Sequence, residues 1–382
     1  MTRFLGLLTL AMLVCLPPCP APACSLCNGS ALQMKPLREH WERAKVVIYG
    51  TLANPRFINS QAGIGITDVH ILQVLKSDPL LGNAKTVELS RYLPVLDPKK
   101  PPRQLIFCDI VKDKIDPYFG KEARSPALLD YFKGIQALAG KDRLEALKFF
   151  FEYLDNEDPV LADDALLEFL RSTDAEVGQV AKHLPVNKLR RWLQNPDTTA
   201  DRLSLYAFLL SAAGDPGDAR LLRGLIDKAD KRSKAALDGL LAGYIQLNPR
   251  DGWELAINML HDERTPLLDR FAILRTFRFY YGWKPAESKA QVLRALGGLI
   301  ETPLLDVAVE DLRRWQMWDL TPKILAQFGK PGNASQIVRR TIVRYALCSP
   351  QPECRNFLDR VRRSDGEMVR EIEEGLELER KH

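Results

Sequence analysis

The feature that most constrains this chain is a short signature that recurs along its last two thirds. A residue with a short side-chain oxygen or amide stands directly before proline. It appears as Ser125-Pro126, Asp158-Pro159, Asp215-Pro216, Asn248-Pro249, Thr265-Pro266, Thr302-Pro303, Thr321-Pro322 and Ser349-Pro350. The side-chain oxygen accepts from a free N–H of a first helical turn, while proline fills a position whose N–H has no partner there. Several of these pairs lie 17 to 19 residues apart and others 33, so paired helices would recur every 35 to 40 residues or so, a period typical of helical repeats. Between the starts, as in "DRLEALKFFFEYL", Leu144, Leu147, Phe150, Phe151 and Leu154 fall on one helical face.

The preceding stretch has a different texture. After a charged, helix-favouring "LREHWERAK" (37–45), four runs are rich in β-branched and aromatic residues: 46–53, 63–75, 85–93 and 103–111. Turn-forming clusters such as "SDPLLGN" and "LDPKKPP" separate them, and a fifth strand is expected near 111–115. Short strands at this spacing without intervening helices predict a small antiparallel barrel. The fold class expected is therefore β + α: a small antiparallel barrel followed by an α-solenoid of helix pairs.

The first 23 residues read as an export signal: Arg3, an apolar run from Phe4 to Leu16, and a small-residue tail Ala21-Pro22-Ala23. That run is shorter than the roughly 20 residues that span a bilayer. Cleavage after Ala23 would leave Cys24 as the first residue; a lipidated cysteine would want Leu where Ala21 stands. The expected organisation is a signal at 1–23, a barrel at 24–122 and helical repeats at 123–382, with the product exported to an extracellular, periplasmic or envelope location.

Five cysteines would remain: Cys24, Cys27, Cys108, Cys348 and Cys354. In an exported protein their default is disulfide bonding. Cys348 and Cys354 flank the turn "SPQPE" and are expected to bond to each other, and Cys108 to Cys24 or Cys27. Asn28 follows Cys27, so no c-type haem motif exists, and no second Cys-x-x-Cys or His pair completes a zinc site. A redox role for Cys24 and Cys27 is the rival to a structural one. No metal and no cofactor are expected.

Two resemblances follow from quoted stretches. "DPVLADDALLEFLRSTDAEVGQVAKHL" (158–184) resembles HEAT-type repeats, with Asp-Pro at the start and Ala and Leu where paired helices touch. Residues 24–115, with "CSLC", "AKVVIYGTL", "VLKSD" and "LIFCD", resemble the netrin-like OB modules related to tissue inhibitors of metalloproteinases. Those inhibitors begin Cys-x-Cys and carry six cysteines in the module; this chain has Cys-x-x-Cys and three. The arrangement as a whole resembles bacterial exported proteins that join the two parts. The resemblance implies an inhibitor-like alternative, in which the amino group and carbonyl of an N-terminal Cys24 would chelate a target's zinc.

No sequence motif carries an established chemistry: His-Glu-x-x-His, Gly-x-Ser-x-Gly, the phosphate-cradling loop and Gly-x-Gly-x-x-Gly are all missing. Residues 24–140 hold 16 Lys and Arg against 11 Asp and Glu, whereas residues 141–382 hold 37 against 38. A helical array without positive excess does not suit nucleic acid. The expectation is a non-enzymatic binding or scaffold protein with a protein partner. Two aromatic clusters, "RFYYGWKP" and "RRWQMWDL", supply the candidate contacts: Tyr280, Tyr281, Trp283, Arg313, Arg314, Trp315 and Trp318.

Overall fold

The structure, a computed structural model, describes residues 34–333 and 335–381. It opens on helix α1 (Leu37–Arg43), which leads into strands β1 (Val46–Asn59), β2 (Ile64–Lys76), β3 (Thr86–Leu89), β4 (Arg103–Val111) and β5 (Lys114–Glu122). All pairings are antiparallel, in the order β3-β2-β1-β4-β5. The fifth strand lies beyond the place expected for it. Lys112 and Asp113, both at positive φ, make a two-residue turn that returns the chain from Val111 to Lys114.

Period-two alternation gives the sheet two buried faces. Val46, Ile48, Ile106 and Cys108 enter one core with Val69, Leu81, Val87 and Leu89. Val47, Tyr49, Leu105 and Phe107 point the other way, into a core continuous with the helices. That is why β1 begins with the unbroken apolar run Val46-Val47-Ile48-Tyr49.

The expected barrel is corrected to an open sheet. The edge strands β3 and β5 approach one another but share no ladder of hydrogen bonds. β3 is only four residues long, and the segment after it carries Pro94, Pro98, Pro101 and Pro102, which lack the N–H groups a closing strand needs. The inner face is covered by helices instead.

The rest is helical: α2 (Ala127–Ala137), α3 (Arg143–Phe151), α4 (Pro159–Leu170), α5 (Asp174–Ala181), α6 (Val186–Gln194), α7 (Ala200–Ser211), α8 (Pro216–Lys228) and α9 (Lys231–Ala235). There follow α10 (Leu237–Leu247), α11 (Pro249–His261), α12 (Leu267–Trp283), α13 (Pro285–Leu299), α14 (Leu305–Arg314), α15 (Thr321–Leu325), α16 (Gln336–Cys348) and α17 (Pro352–Lys381). α17 is broken by non-helical backbone at Asp365. None of the described helices is long and apolar enough to cross a membrane.

Several polar links within the helical part join residues 33 to 39 apart, while others, such as Arg143 to Glu168 and Arg190 to Asp218, span 25 and 28. Tyr131 donates to Asp164, 33 residues on, and Arg278 to Asp311, also 33. Ser204 donates to Asp238 at 34 and Arg275 to the same carboxylate at 37. Trp192 donates to Asp155 at 37 and Arg202 to Asp163 at 39.

α1 stands between sheet and helices. The Leu37 N–H donates to Asp164 Oδ1 on α4 at 2.8 Å, and Arg38 Nε donates to Glu168 at 3.1 Å. On its other side, Tyr118 on β5 donates to the His40 carbonyl at 3.1 Å.

Candidate partner-binding groove

The ends of α12 and α14 meet α16 and the second half of α17 around an open groove of about 1190 Å³. Its shape begins with α14. Leu305, Ala308, Val309 and Leu312 are buried on one side, which leaves Asp306, Glu310 and Arg314 on the groove side. The helix stops in a Schellman turn: the Gln316 N–H donates to the Arg313 carbonyl, the Met317 N–H donates to the Leu312 carbonyl, and Gln316 sits at φ 56°. That turn delivers Trp315 against Tyr281 of α12, with ring centroids 4.4 Å apart and the Tyr281 hydroxyl donating to the Trp315 carbonyl at 3.2 Å.

Four guanidiniums line the groove: Arg278, Arg314, Arg340 and Arg344. Each is anchored on one side by a carboxylate. Arg278 Nε reaches both oxygens of Asp311 at 3.0 Å, and Arg314 Nε reaches Glu310 at 2.8 Å. Arg340 bonds Glu371 at 2.7 Å, and Arg344 bonds Glu379 at 2.6 Å. Burial raises the Asp311 pKa although Arg278 pulls it down. Burial acts in the same sense on Glu310, but its hydrogen bonds from Arg313 and Arg314 outweigh that and hold it low. The resulting surface is mixed in charge: the four guanidiniums stand among the carboxylates of Asp174, Asp306, Glu310, Asp311 and Glu371 around an aromatic floor, which suits the alternating donors and acceptors of an extended backbone.

The seven candidate contact residues divide. Tyr281, Arg314 and Trp315 line the groove. Tyr280 is buried and donates to the Ala242 carbonyl at 2.7 Å. Trp283 packs among Phe208 and Phe279 over the backbone of Gly178. Trp318 lies edge-on to Tyr345. Arg313, 8% exposed, is held by Glu310 and Glu379, with the Cys348 sulfur 3.8 Å away. These four sit in seams between helices. The reading from sequence missed Arg278, Arg340 and Arg344; the only local trace of the last two is their i, i+4 spacing on one helix.

The cysteines require a correction. Cys348 and Cys354 carry free thiols and do not bond to each other. Cys348 ends α16 beside Arg313. Cys354 falls in the first turn of α17, 1% exposed and directed into the core. The helix that starts at Pro352 fixes where Cys354 points, and the fold-back of the "SPQPE" link does not decide it. Cys108 is also a free thiol, buried in the sheet's outer core, and burial pushes its pKa up to about 12. The bond expected from Cys108 to Cys24 or Cys27 is thus corrected as well, while Cys24 and Cys27, and with them the redox alternative and the zinc-chelating N-terminus, lie outside the described residues. No group of three or more His, Cys, Asp or Glu able to hold a metal occurs among the described residues.

No family model and no curated protein matches the chain. A solved structure that it matches is human deoxyhypusine hydroxylase in complex with glycerol, at 16% identity, covering 68% of this chain and 92% of that one. The TM-score is 0.26, too low to relate the two folds.

Proposed function

We propose that this protein is an exported, non-enzymatic scaffold that binds an extended segment of a protein partner in the groove between α12, α14, α16 and α17. The observation that carries the proposal is the groove itself: an open concavity with a Tyr281–Trp315 floor, bordered by four arginines, each paired with a carboxylate. Aromatic and arginine side chains at the centre of a concave surface are the groups that dominate protein interfaces. The groove exceeds the roughly 300–1,000 Å³ usual for small-molecule pockets, which favours a polypeptide occupant.

The same proposal includes the finer architecture. Polar links recurring at 33 to 39 residues favour HEAT-like helix pairs stacked along one axis, and the strand order β3-β2-β1-β4-β5 favours a netrin-like, OB-type sheet left open at one seam. Export rests on the apolar N-terminal run and the Ala21-Pro22-Ala23 tail.

The test is capture from the native extracellular or envelope fraction by the full chain, compared with Trp315→Ala and Arg314→Glu. The expected result is a partner retained by the unsubstituted protein and lost by both variants. A partner retained equally by all three would place binding elsewhere. Intact mass of the secreted product tests export: a protein that retains residues 1–23 overturns it.

A further inference from the structure

α1 is held on two sides by contacts of different chemistry. Towards the helices the bonds are polar: Leu37 N–H to Asp164 at 2.8 Å, Arg38 to Glu168 at 3.1 Å, and Arg171 to Glu39 at 2.7 Å and to the Met34 carbonyl at 3.3 Å. Towards the sheet, Tyr118 donates to the His40 carbonyl, Lys76 donates to the Trp41 carbonyl at 3.0 Å, and the His40 ring lies flat on Phe119. The ring centroids are 3.8 Å apart and the planes differ by 3°. Phe107 and the Tyr118 ring close the sides at 5.5 and 5.8 Å.

His40 is 8% exposed, and its Nδ1 is buried with no hydrogen-bond partner. A neutral imidazole tolerates this by placing its proton on Nε2. An imidazolium carries a proton on both nitrogens, so it would bury an N–H donor and a charge without an acceptor. The charged groups nearby do not relieve that. Lys35 and Arg43 repel a cation, and Glu39 is engaged by Arg171. Tyr118 of β5 lies under the Arg43 guanidinium at 4.5 Å, and Asp109 of β4 faces Arg43 at 3.9 Å. Lys76 of β2 adds a further positive charge beside Trp41. α2 contributes only an apolar ring at this point, Phe132 against Phe107.

We propose that α1 is an acid-released latch: protonation of His40 frees the sheet-facing side of α1 while its α4-facing side stays bound. Burial first, then Lys35, lowers the His40 pKa from 6.5 to about 4. The folded-state value is below the unfolded one, so this contact stabilises above about 6.5 and is lost as pH falls towards 4. The opposite side behaves in the reverse sense. Burial raises Asp164 to about 7, so mild acid neutralises it while its oxygens can still accept from Leu37 and Tyr131. Acid therefore weakens one side of α1 and spares the other, and the seam between sheet and helices opens there first.

Hydroxyl-radical footprinting of the full chain at about pH 7.5 and about pH 4.5 reads the latch directly. Oxidation of Tyr118 and Phe119, which are only half-buried beneath α1, should rise by about two- to threefold at the lower pH, with Tyr131 unchanged. In His40→Phe, which keeps the stacked ring without the charge, the rise should vanish. No rise in the unsubstituted protein, the same rise in His40→Phe, or Tyr131 rising alongside Tyr118 would each overturn the proposal. Should His40→Phe fail to fold, NMR titration of the His40 ring in the unsubstituted chain decides instead: a titration midpoint below about 5 supports the latch, and one at the ordinary histidine value removes it.

Discussion

Glu168 has no exposed side-chain surface and yet sits where two guanidiniums converge, Arg143 Nη1 at 2.6 Å and Arg38 Nε at 3.1 Å. One turn away on the same helix, Asp164 is buried with no cation bonded to it, only the Leu37 N–H and the Tyr131 hydroxyl. The two acids therefore respond differently to substitution. Removing Glu168 strands two arginines in a half-buried seam, and the loss of one partner from such a cluster costs about 3–5 kcal/mol. Glu168→Ala should lower the urea midpoint by a corresponding amount, and Arg143→Met in the same chain should restore part of it. For Asp164 the effect depends on pH. Its folded-state pKa, raised by burial to about 7, lies above the unfolded value of 3.8, so its contribution is full below 3.8 and fades as pH rises through 7. Asp164→Asn holds the site neutral at every pH. Between about pH 5 and about pH 8 the unsubstituted protein should lose about 2–3 kcal/mol relative to the variant. Urea titrations at the two pH values check this, and a difference that does not change with pH would refute it. The sequence does not separate the two from surface acids, because a buried acid in "ADDALLEF" reads the same as a solvated one.

Among the elements, the helix starts were the most legible part. Each of the eight capping-residue–proline pairs lies within three residues of the first residue of a helix. Only Asp158, Asp215 and Asn248 act as N-caps in the expected way, each accepting from the first turn. Ser125 instead bonds Asp158, and Thr321 donates backwards to Trp318. Asn195-Pro196 has the same form yet ends α6, so the dipeptide marks a helix boundary more reliably than it marks a start. The groove was less legible, since its arginines come from three helices and, apart from Arg314, which pairs with Glu310 one turn back on α14, meet their carboxylates only across helices. Close approach between helices leaves a different trace, at glycine. A Cβ on Gly239 of α10 would lie 2.3 Å from the Ser204 carbonyl oxygen and 2.4 Å from its Cα, backbone atoms of α7 that cannot step aside. Gly239→Ala should therefore cost about 1–3 kcal/mol through overpacking, more than the roughly 1 kcal/mol that alanine gains in helix propensity. Gly224 of α8 has nothing within 4 Å of that position, and Gly224→Ala should stabilise by about 0.5–1 kcal/mol. Thermal melts of the two variants should move in opposite directions; movement in the same direction would mean that α7 and α10 do not cross at Gly239.

At the scale of the whole molecule, the change from strands to helices near residue 122 was readable from composition, but the dependence of one part on the other was not. β1 is apolar on both faces, and a sequence run of that kind does not say which neighbour covers which face. In the structure Val47, Tyr49, Leu105 and Phe107 share a core with Tyr131 and Phe132 of α2 and with Leu37 of α1. Phe107 meets Phe132 edge-on at 5.8 Å, and Trp41 meets the same ring at 5.4 Å. Covering a large apolar side chain is worth about 1.5–3 kcal/mol, so four of them amount to roughly 6–12 kcal/mol, comparable with the entire stability of a small domain. A fragment of residues 34–125 would expose that face and lose α1's bonds to Asp164 and Glu168 as well. It should show no cooperative thermal transition, whereas the full chain should lose sheet and neighbouring helices together. Calorimetry of both, with far-UV circular dichroism of the fragment, makes the comparison. A fragment that melts cooperatively at the temperature of the intact protein would show that the sheet stands on its outer core alone, and that the shared core adds nothing to its stability.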